Sequence, residues 1–195
     1  MNGLRHLQQL QVSLDGLYGQ LGRLDRWGRA LATRLSGGAR LLAAGNGGSA
    51  AQAQHLTAEL VGRYLHERPP LSAIALHADT SAVTAIANDY GTDELFARQI
   101  RAHGRPGDVL LALSTSGRSP NVLRAAEAAR ELDVVVLALT GPAPNPLVAA
   151  ADDAVSVEGP TPTVQEVHQV AIHLICEALD EQLASSVISL SGARA

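Results

Sequence analysis

Five short apolar runs, each separated from the next by a segment with helical character, set the strongest limit on how this 195-residue chain can fold. The runs cover residues 41–44, 73–76, 109–113, 134–139 and 154–157. Because they are rich in Val, Leu and Ala without regular polar alternation, strands formed there would be covered on both faces. The sequence therefore predicts a doubly wound α/β fold, with a five-stranded parallel sheet flanked by helices.

Helical periodicity fills the intervals between these runs. It predicts helices over residues 49–64, 81–87, 93–103, 120–132, 146–150 and 164–183. No Ser/Gly/Pro-rich tract divides the chain, so we expect a single domain over residues 1–195. The small, polar segment 185–195 is expected to be a flexible tail.

The first 36 residues carry leucines at steps of three and four, which predicts an amphipathic N-terminal helix. The stripe consists of Leu4, Leu7, Leu10, Leu14, Leu17, Leu21, Leu24, Leu31 and Leu35, with Trp27. The helix either covers its own domain only or also packs on copies of itself, because the stripe is longer than one covering helix needs. The sequence leaves both interpretations open.

Composition excludes several classes of function. All 15 basic residues are arginine, so a Schiff-base lysine and the lysine of a Walker-type phosphate loop are both absent. A net charge of −4 and 3% aromatic residues argue against nucleic acid as the main partner. The single cysteine, Cys176, is expected to be a small buried side chain. Without a long apolar segment or a signal sequence, the chain is expected to be cytoplasmic, with no membrane partner.

The first motif with chemical content follows the run 41–44 and reads Gly-Asn-Gly-Gly-Ser from Gly45 to Ser49. A strand that breaks on glycines and restarts as a helix brings free backbone N–H groups to one point, where an anion can bind. One helical turn apart, His55 and Glu59 are expected on the same face of that helix. A binding loop beside a titratable pair predicts an enzyme site for a phosphorylated substrate.

A second junction of strand and helix is rich in hydroxyl groups. Its hydroxyl-bearing residues are Ser114, Thr115, Ser116 and Ser119, around Gly117 and before Pro120. Hydroxyls together with helix N–H groups can bind phosphate without lysine. The alternative is an ordinary capped helix, because Ser and Thr favour that position in any case. The location at the carboxyl end of a predicted parallel strand favours phosphate binding.

The third group of polar residues opens the last predicted helix. Gln165 and His173 are separated by two turns and offset by roughly 80° around the helix axis, so they can share a site only near the helix edge or at an interface. Glu166 aligns more closely with His173, and His168 lies on another face. Any one of these residues, taken singly, is better explained as a solvated polar position.

Together, the segment 45–59, the loop 114–119 and the segment 165–173 resemble the sugar isomerase (SIS) domain family. Residues 85–91 and Thr140-Gly141 add to the likeness, which runs from about residue 4 to residue 183. Within the family, the motifs are similar to those of bacterial phosphoheptose isomerases. The resemblance implies aldose–ketose isomerisation of D-sedoheptulose 7-phosphate to D-glycero-D-manno-heptose 7-phosphate through an enediol.

The resemblance also implies roles for individual residues. Glu59 and His173 match the acid–base pair, and zinc is implied at His55, Glu59, Gln165 and His173. The implied substrate-binding residues are Asn46, Gly47, Gly48, Ser49, Asp89, Ser114, Thr115, Ser116, Ser119 and Gln165. The family further implies a homotetramer with active sites between subunits and with the N-terminal helices, residues 1–36, in the central bundle.

Two points remain open at this stage. A carboxylate bound to zinc is a weaker proton acceptor, so either the metal moves during turnover or some residues serve only one role. Pro162 stands where family members often have Asp, which removes one polar group from the site.

The alternatives to an isomerase are a non-catalytic tetramer that binds the replication initiator and a regulator that binds a sugar phosphate. The presence of both Glu59 and His173 favours the enzyme.

Overall fold

The computed structural model describes residues 3–192, with side chains described as far as residue 185. Its helices are α1 (Gly3–Leu17), α2 (Leu21–Ser36), α3 (Gly48–Val61), α4 (Thr80–Tyr90), α5 (Ala97–His103), α6 (Pro120–Glu131), α7 (Pro146–Ala150) and α8 (Thr161–Gly192). Its strands are β1 (Leu41–Ala44), β2 (Ala73–Ala75), β3 (Val109–Ser114), β4 (Val135–Thr140) and β5 (Asp153–Ser156). Two single 3₁₀ turns cover Tyr18–Gln20 and Thr92–Glu94.

The five strands form one parallel sheet in the order β2-β1-β3-β4-β5. The predicted doubly wound α/β fold is therefore confirmed. In this order the chain leaves β1 toward β2 on one side and β3 toward β4 on the other. Doubly wound sheets bind ligands at such a switch point, at the carboxyl ends of the strands. The loops that follow β1 and β3 lie at that point.

Helices cover both faces of the sheet, and neighbouring residues of each strand point to opposite faces. On one face, Leu41 and Leu111 pack with α2, α3 and α8, and on the other, Leu42 and Leu110 pack with α5, α6 and α7. This two-sided burial explains why the strand sequences lack polar alternation.

The structure differs most from the prediction in three helices, while α3 ends at Val61 instead of residue 64 and α4 covers Thr80–Tyr90 instead of 81–87. The N-terminal helix is two helices, divided at Tyr18–Gln20, where Gly19 lowers helix propensity. The predicted helix 93–103 is a 3₁₀ turn followed by α5. The last helix begins at Thr161, since Pro162 is tolerated in a first turn, and it continues to Gly192, past the predicted end at residue 183. Of the predicted flexible tail, residues 193–195 lie outside the described residues.

The single cysteine is buried, as predicted. Cys176 is 1% exposed on α8, and burial raises the pKa of its thiol to about 12. Within residues 3–192, none of the helices has the length and apolar character needed to cross a membrane.

His168 is a histidine that packs in the core instead of facing the site. It is fully buried on α8, and its Nε2 donates a hydrogen bond to the carbonyl oxygen of Thr140 at 3.2 Å. Its Nδ1 has no partner. Burial lowers the pKa of His168 to about 4, because the apolar surroundings disfavour the imidazolium, although the bond to Thr140 acts in the opposite direction.

We expect His168 to make the folded state sensitive to acid. Between its folded pKa of about 4 and the ordinary value of 6.5, the unfolded chain binds more protons than the folded chain, so stability falls as the pH falls through this window. From pH 7.5 to pH 5 the loss is about 2 kcal/mol. Urea unfolding of the wild type and of His168→Gln, which cannot titrate, measures it. Equal pH dependence in the two proteins would contradict the assignment.

Candidate active site

The loop after β1 brings backbone amides to the carboxyl edge of the sheet. Gly47 has a φ of +53°, a conformation that favours glycine, and α3 begins at the next residue. A side chain at Gly45 would come within 2.7 Å of the Ser49 backbone. The loop is therefore tight, and it directs the N-terminus of α3, the positive end of its dipole, toward the ligand edge.

Three side chains from two helices converge on one another. His55 and Glu59 lie one turn apart on α3, and His173 comes from α8. His55 Nε2 lies 3.0 Å from His173 Nε2 and 3.2 Å from Glu59 Oε1. One potential ligand atom from each residue lies within 4.8 Å of the others. We call these residues the His55–Glu59–His173 cluster; its two imidazoles and one carboxylate are suited to zinc.

Two neighbours orient His173. The Gln169 side-chain amide lies 3.1 Å from His173 Nε2, within hydrogen-bond distance. The ring of Tyr64 lies against the imidazole, with ring centroids 5.5 Å apart. Burial is the main factor that raises the pKa of the Tyr64 hydroxyl, followed by the charge of Glu177, so the phenol remains neutral. These two contacts hold the His173 ring next to His55 and Glu59.

The loop after β3 collects hydroxyl groups. Ser114 Oγ lies 3.1 Å from Ser119 Oγ and 3.4 Å from Ser116 Oγ. Ser116 Oγ also accepts a hydrogen bond from the backbone N–H of Arg118. We call residues 114–119 the hydroxyl loop. Because it leads directly into α6 at Pro120, a phosphate bound here would also meet the N-terminus of that helix.

Asn145 packs against the hydroxyl loop at Gly117. A side chain on Gly117, whose φ is +61°, would come within 2.0 Å of Asn145 Oδ1. Asn145 is buried, and its amide donates to the Thr140 hydroxyl and the Pro142 carbonyl. The backbone carbonyl of Thr115 packs against Gly141. A Cβ atom at position 141 would lie 1.9 Å from that carbonyl oxygen. The loop geometry therefore depends on the end of β4.

A pair of amides joins the two ligand loops. Asn46 Nδ2 donates to Asn121 Oδ1 at 2.8 Å, and Asn121 Nδ2 donates back to Asn46 Oδ1 at 2.9 Å. Asn121 is the second residue of α6. The loop after β1 and the start of α6, which follows the hydroxyl loop, thus lie next to each other at the switch point.

Gln165 lies at the opposite end of α3 from Glu59. Its side-chain amide packs over Gly48, where a Cβ would lie 2.5 Å from Gln165 Nε2. Its backbone carbonyl accepts a hydrogen bond from the buried Gln52. Gln165 therefore contacts the predicted substrate-binding loop, and its role as a fourth zinc ligand remains a prediction.

Not every predicted residue is brought to the cluster. Asp89 is exposed near the end of α4 and accepts a hydrogen bond from its neighbour Asn88. No residue of α4 is buried, and the helix packs mainly on the turn Thr92–Glu94. Glu166 is exposed and bonded to His6 at 2.8 Å, in agreement with the solvated interpretation.

Sequence reasoning missed Gln169, Tyr64 and Asn121 as parts of the site. Gln169 lies one turn before His173, so helical spacing could have indicated it. Tyr64 and Asn121 carried no comparable signal, because their contacts depend on the packing of segments that are distant along the chain.

Known proteins share the sequence pattern of this site. The model of the SIS domain matches residues 7–141, a stretch that contains both ligand loops, His55 and Glu59. The chain belongs to the SIS domain family. Among curated relatives, the phosphoheptose isomerase of Streptomyces coelicolor is 65% identical over 179 residues, which cover 91% of this chain and 78% of the relative.

Solved structures agree with this family membership. The phosphoheptose isomerase from Neisseria gonorrhoeae superposes with a TM-score of 0.84 at 40% identity, covering 91% of this chain and 96% of that one. The phosphoheptose isomerase from Francisella tularensis gives a TM-score of 0.79 at 33% identity, covering 93% and 100%. The fold thus extends over most of both chains, including α8, which follows the part that the family model matches.

Proposed function

We propose that this protein is a phosphoheptose isomerase that converts D-sedoheptulose 7-phosphate to D-glycero-D-manno-heptose 7-phosphate. The observation that carries the proposal is the convergence of Glu59 and His173, from two helices, with ligand atoms within 4.8 Å of each other and of His55. The relative from Streptomyces coelicolor that bears this name, 65% identical to this chain, supports the substrate. The hydroxyl loop, with Asn46 and Ser49, binds the phosphate end of the sugar, and the cluster faces its carbonyl end.

The chemistry follows from the two titratable groups. Glu59 removes a proton from C1 of the ketose, and His173 supplies a proton to O2, which gives the enediol. His173 then accepts the O1 proton and regains its starting form, and Glu59 returns its proton to C2, which gives the aldose. No atom is gained or lost overall. The Glu59 side chain is 20% exposed, so the base is partly shielded from solvent.

The cluster also fits zinc. His55, Glu59 and His173 would hold the ion. Gln165, which packs over Gly48 at the other end of α3, would act as the fourth ligand from a neighbouring subunit. A bound zinc ion would polarise the carbonyl oxygen of the sugar. Neutral imidazole is the form of histidine that binds metal, and the contact of Gln169 with the His173 ring would orient that ligand.

We expect metal removal to test this assignment. Protein dialysed against a chelator and titrated with zinc by calorimetry should bind about one ion per chain, and turnover should return with it. His55→Ala should weaken zinc binding by about a hundredfold or more, since a lost ligand costs more than a lost outer partner. His103→Ala, at the exposed end of α5, is the control. Equal zinc affinity in all three proteins would place the metal elsewhere.

Assembly into a homotetramer with sites between subunits is part of the proposal. On α1, Leu4 and Leu7 are each 63% exposed and Val12 is 71% exposed, which is unusual for an apolar stripe on an isolated subunit. α4, which carries Asp89, buries no residue. Packing between copies would cover α1 and could bring Asp89 to a neighbour's site. Light scattering measures the assembly, and a monomer would contradict it.

The non-catalytic alternatives are less favoured. A protein that only binds the replication initiator, or only senses a sugar phosphate, has no need for a carboxylate and two imidazoles within 4.8 Å of one another. Incubation of the purified protein with sedoheptulose 7-phosphate, with and without zinc, tests the isomerase directly. Formation of the aldose supports it, and no turnover in either condition would contradict it.

A further inference from the structure

Arg68 and Asp180 form an ion pair that is unusually deep. Arg68 Nε lies 2.8 Å from Asp180 Oδ1, and the two side chains are only 6% and 8% exposed. Among residues 3–185, none of the other ion pairs has both partners so buried. Removing two charges from water is costly, and such pairs contribute little net stability. Their position therefore calls for another explanation.

The remaining donors of Arg68 cap the helix that carries Glu59. Arg68 Nη2 donates to the carbonyl oxygen of Glu59 at 2.6 Å, and Nη1 donates to that of Leu60 at 3.0 Å. These carbonyls belong to the last turn of α3, where helical N–H partners run out. The last turn of α3 contains no basic residue of its own. Arg68, from the following loop, supplies both the missing donors and the positive charge favoured at a helix C-terminus.

Asp180 connects this cap to the helix that carries His173. Asp180 follows His173 by seven positions, so the two lie two turns apart on nearly the same face of α8. The two helices meet along their length: Gly48 contacts Gln165 near the start, and His55 contacts His173 further along. The Arg68–Asp180 pair closes the far end of this contact.

We infer that Arg68 and Asp180 are positioning residues for catalysis: their ion pair fixes the last turn of α3, and with it Glu59, against α8 and His173. Neither residue is assigned a contact with the sugar. The inference rests on the isomerase function proposed above. One guanidinium holds the peptide group of the proposed base and a side chain of the helix that bears the proposed acid. A shift between the two helices changes the separation of Glu59 and His173.

A merely stabilising pair and a positioning pair respond differently to apolar replacement. In the double variant Arg68→Met/Asp180→Leu no charge is left unpaired, so stability is largely retained. Whichever role the pair has, this variant removes the hydrogen-bond donors to the carbonyl oxygens of Glu59 and Leu60. We expect kcat to fall about tenfold or more in the folded variant, because small displacements of catalytic groups are costly, while KM changes less than threefold. Amide exchange at residues 59–62 should accelerate about tenfold relative to α6.

The controls separate the possible outcomes. Ile100→Val, in the core on the opposite face of the sheet, lowers stability without touching either helix and should keep its kcat. If the double variant does not fold, Arg68→Lys is measured instead, because lysine keeps the charge but not the forked donors. A folded variant with kcat within twofold of the wild type, or with unchanged exchange at residues 59–62, overturns the positioning role alone. A wild type without turnover overturns the proposed function, and the catalytic role of the pair with it.

Discussion

Replacing Glu59 by Gln is expected to lower kcat for sedoheptulose 7-phosphate by about a thousandfold, because an amide cannot accept the proton that leaves the sugar carbon. KM should change little, since Gln keeps the size of the side chain and its place on α3. The measurement is a coupled assay of aldose formation at saturating substrate. Zinc content is measured on the same samples, so that loss of the base is distinguished from loss of the metal.

The matched control for this change is Glu127→Gln. Glu127 lies on α6 and pairs with Arg124 at 3.1 Å on an exposed surface, so the variant should retain normal turnover. Exchange of solvent deuterium into the product provides a second readout, because it requires a protein base at the sugar carbon. Normal turnover in Glu59→Gln would show that another group is the base.

The double variant Ser114→Ala/Ser119→Ala is expected to lower kcat/KM for the phosphorylated sugar by about a hundredfold or more. Each hydroxyl would donate a hydrogen bond to a charged phosphate, and such bonds contribute about 1.5–3 kcal/mol each. The two oxygens lie 3.1 Å apart in the hydroxyl loop, so they can meet the same phosphate. Steady-state kinetics with sedoheptulose 7-phosphate measures the loss, most of which should fall on KM.

Unphosphorylated sedoheptulose tests the reason for this effect. It lacks the group that the hydroxyl loop binds, so its slow turnover should be the same in the wild type and in the double variant. Ser36→Ala, at the exposed end of α2, controls for serine loss in general. An equal loss with both sugars would mean that the two serines support the fold and do not bind phosphate.

Local sequence predicted the parallel sheet because strands buried on both faces must be apolar throughout, and β1 and β3 follow this pattern. It also predicted the pairing of His55 with Glu59, since a helical turn places residues four apart on one face. The meeting of these two residues with His173 came only from the family resemblance. Spacing along α8 aligns Glu166 with His173 more closely than Gln165, but Glu166 is exposed and pairs with His6, as expected of a solvated position.

The sequence by itself determined the layered α/β architecture, the glycine and hydroxyl loops and the residue types available for acid–base chemistry, because each depends on neighbours along the chain. Only the tertiary structure decided that His168 is buried, that Tyr64 packs against His173 and that Arg68 joins α3 to α8. These contacts depend on how α8 packs against segments about 30 to 120 residues away in the chain. No local pattern encodes such a distance, because it arises from the combined packing of the sheet and its helices.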